Sequence, residues 1–155
     1  MPRDHLTIRS LPPTVAQMRA HVVRVCKANG IGINYDRHAS ASYECREIWI
    51  RPLKSPRAYA TAMHEIGRIL GRYQMKRSVM VRERWAWRWA RRNALQWTPA
   101  MEQYAERRLK SYADAIDAEK ARHAKSYAEF AAQLRAARRA ARFRSSTNFA
   151  TKPID

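Results

Sequence analysis

Ser55-Pro56-Arg57-Ala58-Tyr59-Ala60-Thr61-Ala62-Met63-His64-Glu65-Ile66-Gly67-Arg68-Ile69-Leu70-Gly71 is the stretch on which the fold turns. Serine followed by proline is a helix start, the hydroxyl capping free backbone N–H groups and the proline sitting where its missing N–H costs nothing. Tyr59, Ala62, Met63, Ile66 and Leu70 then recur at three- and four-residue steps, so one helix face is apolar as far as Gly71. A helix with such a face needs a core to lie against, and its flanks must supply it.

Upstream, Val15, Met18, Val22, Val25 and Cys26 repeat the same rhythm within Thr14 to Ala28. Ser10 or Pro12-Pro13 is expected to start that helix and Asn29-Gly30 to stop it. Ile31 to Tyr35 and Glu44 to Arg51 read as two short paired strands around a small-residue turn at 38–42, with Ile48 and Ile50 alternating against Glu47, Trp49 and Arg51. Downstream, a third helix is predicted from Ser78 to about Trp97, where Thr98-Pro99 breaks it. Between Pro99 and about Phe143 there is no glycine or proline, which predicts one long helix or two abutting ones. Its apolar positions, Met101, Ala105, Leu109, Tyr112 and Ile116, then Tyr127, Phe130 and Leu134, are interrupted by Glu119, Lys120 and His123. The expected class is α+β, mostly helical, with a short sheet leaning on helices and a long C-terminal helical arm ending in a frayed tail.

The chain has 155 residues and a hydrophobic content of 46%, enough for one domain with a real core. Nothing approaches the roughly 20 apolar residues of a membrane span, and Met1 to His5 lacks an apolar signal region, so a cytosolic protein with no membrane partner is expected. Cys26 and Cys45 form no CxxC spacing and are expected to be buried reduced thiols. The net charge of +18 favours polyanionic partners. Seven basic residues against one acid lie between Lys76 and Arg92, and five arginines with no acid between Arg135 and Arg144. Arg135, Arg138, Arg139 and Arg142 share a helix face that can track phosphates or merely solvate the helix. Arg84, Arg88, Arg91 and Arg92 are interleaved with Trp85, Trp87 and Trp89. Aromatics among guanidiniums can bind single strands, whereas tryptophans on a helix more often pack into a core. Residues 85 and 89 share one face and 87 lies nearly opposite, so at least one ring should be exposed or reach a neighbouring element. No helix-turn-helix, zinc-finger or RRM pattern accompanies them, so non-specific binding is the form that a nucleic-acid role would take.

The chemistry is concentrated in His64-Glu65-Ile66-Gly67-Arg68, one position away from the H-E-x-x-H zinc motif. In the intact motif two histidines one helical turn apart bind Zn²⁺ and the glutamate activates the metal-bound water. Arginine at the second position has no lone pair and stays charged, so it cannot be a ligand.

A strand and a Pro-containing turn, then Ala60 to Gly71, followed by Val81-Arg82-Glu83-Arg84-Trp85-Ala86, resemble the ImmA/IrrE-like zincin metallopeptidases of phages and mobile elements. The family motif reads H-E-[IL]-G-H-x-L-G, with a glutamate in an E-x-x-A setting on the next helix as the third ligand. The resemblance covers about Glu44 to Trp97. It implies His64 and Glu83 as metal ligands, Glu65 as the catalytic base, zinc as the cofactor if the site is active and none if it is degenerate, and a partner such as a DNA-bound repressor, on which intact relatives act. It further implies a zincin-like domain over 1–98, in bacterial host cytosol if phage-encoded; outside the resemblance, composition predicts a basic Ala-rich helical extension over 99–144 and a flexible tail over 145–155. Arg68 departs from the pattern. Three readings stay open: a degenerate site in which Arg68 pairs with Glu65 and Glu83, a metallopeptidase with a substitute ligand from His5, His21, His38, Cys45 or His123, and an ordinary polar helix face. The first makes the protein a pseudo-enzyme. The competing class is a basic nucleic-acid-binding protein that uses this fold as scaffold.

Overall fold

The computed structural model describes residues 11–75 and 78–147, with side chains as far as 142. Met1 to Ser10, Lys76, Arg77, the side chain of Arg144 and the tail from 148 lie outside the described residues, and with them the expectations placed there. The elements are α1 (Val15–Ala28), β1 (Gly32–Tyr35), β2 (Ser40–Ser42), β3 (Glu47–Ile50), α2 (Pro56–Leu70), α3 (Val79–Asn93) and α4 (Pro99–Thr147). The fold is α+β and mostly helical, with a small three-stranded sheet and a long C-terminal helix. No helix among the described residues is long and apolar enough to cross a membrane.

Helix α1 begins one step later than its prolines suggest. Thr14 is the cap: its hydroxyl accepts the Gln17 backbone N–H while the Gln17 side chain accepts the Thr14 N–H, a reciprocal capping box. Ser55 caps α2 through the Ala58 N–H, with Pro56 at the first position, as the sequence predicts.

The sheet differs from a two-stranded pairing. Its order is β1-β3-β2, with β1 parallel and β2 antiparallel to β3. Ser40–Ser42, expected as a turn, is a strand because the reversal lies later, at 43–46, where Arg46 takes a positive φ of 52° and the Ser42 hydroxyl accepts the Cys45 N–H. Cys45 in that turn is exposed, unlike the buried thiol expected there. Cys26 is buried in α1, and burial raises its thiol pKa to about 11.

Ile48 and Ile50 point into the core, where Met18 and Val22 of α1, Tyr59, Met63 and Ile66 of α2, and Trp87 of α3 meet them. Helix α3 ends at Asn93, earlier than expected. The Ala94 N–H still donates to the Ala90 carbonyl, and the Leu95 N–H then donates to the Tyr59 hydroxyl at 2.9 Å, which draws the chain out of the helix before Thr98-Pro99 is reached. Thr98 then caps α4 through the Met101 N–H.

The chain divides into two compact units, one ending at Ser111 and one starting at Tyr112. Met101 and Ala105, in the first turns of α4, are buried in the core of the first unit. Within the second unit no described residue is buried.

Candidate functional site

The site forms where α2 crosses α3, and Gly67 sets the distance. A Cβ at Gly67 would lie 2.5 Å from the Ala86 carbonyl oxygen, a separation real atoms do not tolerate, so only glycine lets the two backbones touch here. The glycine and alanine of the sequence pattern are thus the two sides of one helix contact. One turn before that contact on each helix, His64 of α2 faces Glu83 of α3.

His64, Glu65 and Glu83 are 3–4% exposed, so their partners are chiefly protein groups. His64 Nε2 lies 2.9 Å from Glu83 Oε2, and His64 Nδ1 lies 3.3 Å from Glu65 Oε1. The first contact is an ion-pair approach that is not aligned as a hydrogen bond, and neither atom has another hydrogen-bond partner. Arg68 closes the group: its NH1 is 3.4 Å from Glu65 Oε2 and its Nε 3.5 Å from Glu83 Oε1. Burial works against a charged His64, but the carboxylates of Glu65 and Glu83 outweigh it and raise the imidazole pKa. Burial likewise works against the Glu83 carboxylate, and His64, with Arg68 and Arg82 behind it, reverses the balance and lowers its pKa. The imidazole and the Arg68 guanidinium thus lie against the two carboxylates at one crossing.

The His64 ring is clamped from the side by Trp87, stacked at 4.2 Å between centroids with 26° between planes. Trp87 lies one turn beyond Glu83 on α3, so the i, i+4 spacing of Glu83 and Trp87 already carries this contact, although the sequence reading assigned the tryptophans only to core or to base stacking. Trp87 is buried and also meets Trp97 and Tyr104 edge-on. Trp85 and Trp89 are half-buried, and Trp85 packs edge-on against Tyr73 under the Arg88 guanidinium.

The donor set does not fit a catalytic zinc ion. Such sites offer three protein ligands and an open position, whereas the crossing offers His64 Nε2 and one Glu83 oxygen, with a guanidinium on the other Glu83 oxygen. Among the described residues no group of three His, Cys, Asp or Glu side chains is arranged to hold a metal. Of the substitute ligands, His21 Nδ1 is 2.8 Å from the Tyr59 hydroxyl, with burial first and Arg24 second lowering its pKa. His123 lies 3.7 Å from Glu119 on α4, Cys45 is exposed in its turn, and His5 lies outside the described residues. His38 is exposed and lines the same cleft as His64 and Glu65. Glu65, held by Arg68 and His64, is not placed as a free base.

No protein-family model matches the chain, and no curated protein or solved structure matches it either. The site must be read from its own geometry.

The arginine sets divide between the two units. Arg84, Arg88 and Arg92 are exposed on α3. Arg91 is tied down, forming two 2.6 Å bonds to the Glu102 carboxylate, which also accepts the Trp97 indole N–H. Arg135, Arg138, Arg139 and Arg142 are exposed on the part of α4 that lies in the second unit.

Proposed function

We propose that this chain is an ImmA/IrrE-like zincin of phage or mobile-element type in which Arg68 has replaced the second zinc ligand, so that peptidase activity is impaired or lost and a protein-binding role, toward a partner such as a DNA-bound repressor, is what remains. The observation that carries this reading is the position of the Arg68 guanidinium, which touches both the Glu65 and the Glu83 carboxylates at the point where His64 meets Glu83. The residues that the family pattern calls ligand, base and ligand converge across one close helix crossing, with an arginine at the place of the missing histidine. An ordinary polar helix face would put these groups in water. Here three of the four are buried.

The nucleic-acid reading draws less support. Trp87 is consumed by the core and Arg91 by Glu102, which leaves the aromatic and cationic series on α3 broken as a stacking surface.

Metal content tests the proposal. The unmodified protein is expected to purify without zinc, and Arg68→His is expected to take up one zinc per chain, read by elemental analysis after dialysis. Stoichiometric zinc in the unmodified protein overturns the degenerate site. A folded Arg68→His protein that takes up none overturns the zincin reading.

A further inference from the structure

Beside the ion cluster lies a cleft of about 550 Å³, inside the range of roughly 300–1,000 Å³ typical of small-molecule sites. Its charge is one-sided. Arg37, Arg51, Lys54 and Arg57 line it, and the one carboxylate among the lining residues is Glu65, which lies against Arg68 and His64. Asp36, next along the chain, directs its carboxylate to the backbone N–H groups of Arg37 and His38. We propose that this cleft binds a diphosphate group, carried by a small ligand such as a nucleoside diphosphate or triphosphate or present as free pyrophosphate.

Three independent features support a phosphate ligand over a single carboxylate. The first is the number of charges: Arg37, Arg51, Lys54 and Arg57 put four cations around one small volume, where they repel one another, and an anion carrying several charges relieves that repulsion where a lone carboxylate would answer one or two of them. The second is positioning. The Arg51 Nε–H donates to the Arg37 carbonyl at 2.6 Å, and the Arg57 guanidinium lies over the Tyr104 ring, 4.5 Å from its centroid. Stacking holds Arg57 by its face and leaves the N–H edge for in-plane bonds to phosphate oxygens. The third is the helix end: Ser55, Arg57 and Ala58 of the lining belong to the start of α2, whose partial positive charge adds to the same field.

The inference goes beyond the zincin reading and does not depend on it, because the cations belong to the β1–β2 turn, the segment after β3 and the first turn of α2, and not to the ion cluster. Zinc uptake by Arg68→His leaves it untouched in either direction.

Titration calorimetry of the full chain with ADP, adenosine, pyrophosphate and a Glu-rich hexapeptide, at constant ionic strength, tests it. ADP is expected to bind at least tenfold more tightly than adenosine. Pyrophosphate equal to ADP identifies the free anion as sufficient, whereas ADP tighter than pyrophosphate identifies a nucleotide; both support the proposal. The double variant Arg51→Ala with Arg57→Ala, both positions exposed, is expected to weaken ADP at least tenfold. Arg135→Ala with Arg139→Ala, which removes equal charge in the second unit, is expected to change it less than twofold. Equal losses in the two double variants reduce the effect to net charge and overturn the proposal. So do ADP no tighter than adenosine, or a hexapeptide that binds more tightly than ADP.

Discussion

The α2–α3 crossing and the stretch of α4 after Ser111 are built from helices of opposite economy. At the crossing, α2 buries nine of its fifteen residues, including a histidine and a glutamate. In the second unit, Tyr127, Phe130 and Leu134 remain 76%, 58% and 45% exposed, and the helix rests on alanine-rich propensity and its own backbone bonds. Packing, and not helix content, is what makes a site: polar groups acquire unusual chemistry only where the helix around them has lost its water.

The sharpest way to break this comparison is to remove one aromatic ring from each region. Trp87→Ala is expected to cost about 3–5 kcal/mol in a denaturant titration, since it empties the core and frees the His64 ring. Phe130→Ala is expected to stay within about 0.5 kcal/mol of the unmodified protein. Adding volume gives the next effect. Gly67→Ala drives a methyl group into the Ala86 backbone and is expected to cost about 1–3 kcal/mol, whereas Ala128→Leu on the exposed helix should be nearly silent in the same titration. The smallest effect is electrostatic. The Arg91 guanidinium, aided by the Trp97 indole and opposed by partial burial, lowers the Glu102 pKa below its ordinary 4.5. A depressed carboxylate contributes stability that is present above the ordinary value and lost as pH falls through the folded value. Both side chains are about a third exposed, so the contribution is roughly a few tenths of a kcal/mol. Melting temperatures measured on descent through that acid window should fall more steeply for the unmodified chain than for Arg91→Ala.

What the sequence made legible follows the same division. The caps and apolar steps of α2 and the alternation at Ile48 and Ile50 were local patterns, and local patterns specify local structure. The convergence of His64 with Glu83 was legible only through the resemblance, because the eighteen positions between them contain no rule that folds one onto the other. The strand at Ser40–Ser42 was hidden because two serines and an alanine look like turn chemistry, and only pairing with β3 makes them a strand. The end of α3 was misplaced because the group that stops it, the Tyr59 hydroxyl, lies 36 residues away. Of the cationic cleft, Arg51, Lys54 and Arg57 stand close together in the chain, but their meeting with Arg37 has no linear signature.

The Tyr59 hydroxyl has one further consequence. It takes the Leu95 N–H and meets His21 Nδ1, joining α1, α2 and the α3–α4 connection at one oxygen. Leu95 itself is 46% exposed and looks like an ordinary surface loop residue. Its amide proton is nevertheless released to solvent only when that junction opens, so this loop shares the slow exchange of the interior and unfolds as part of the same cooperative unit.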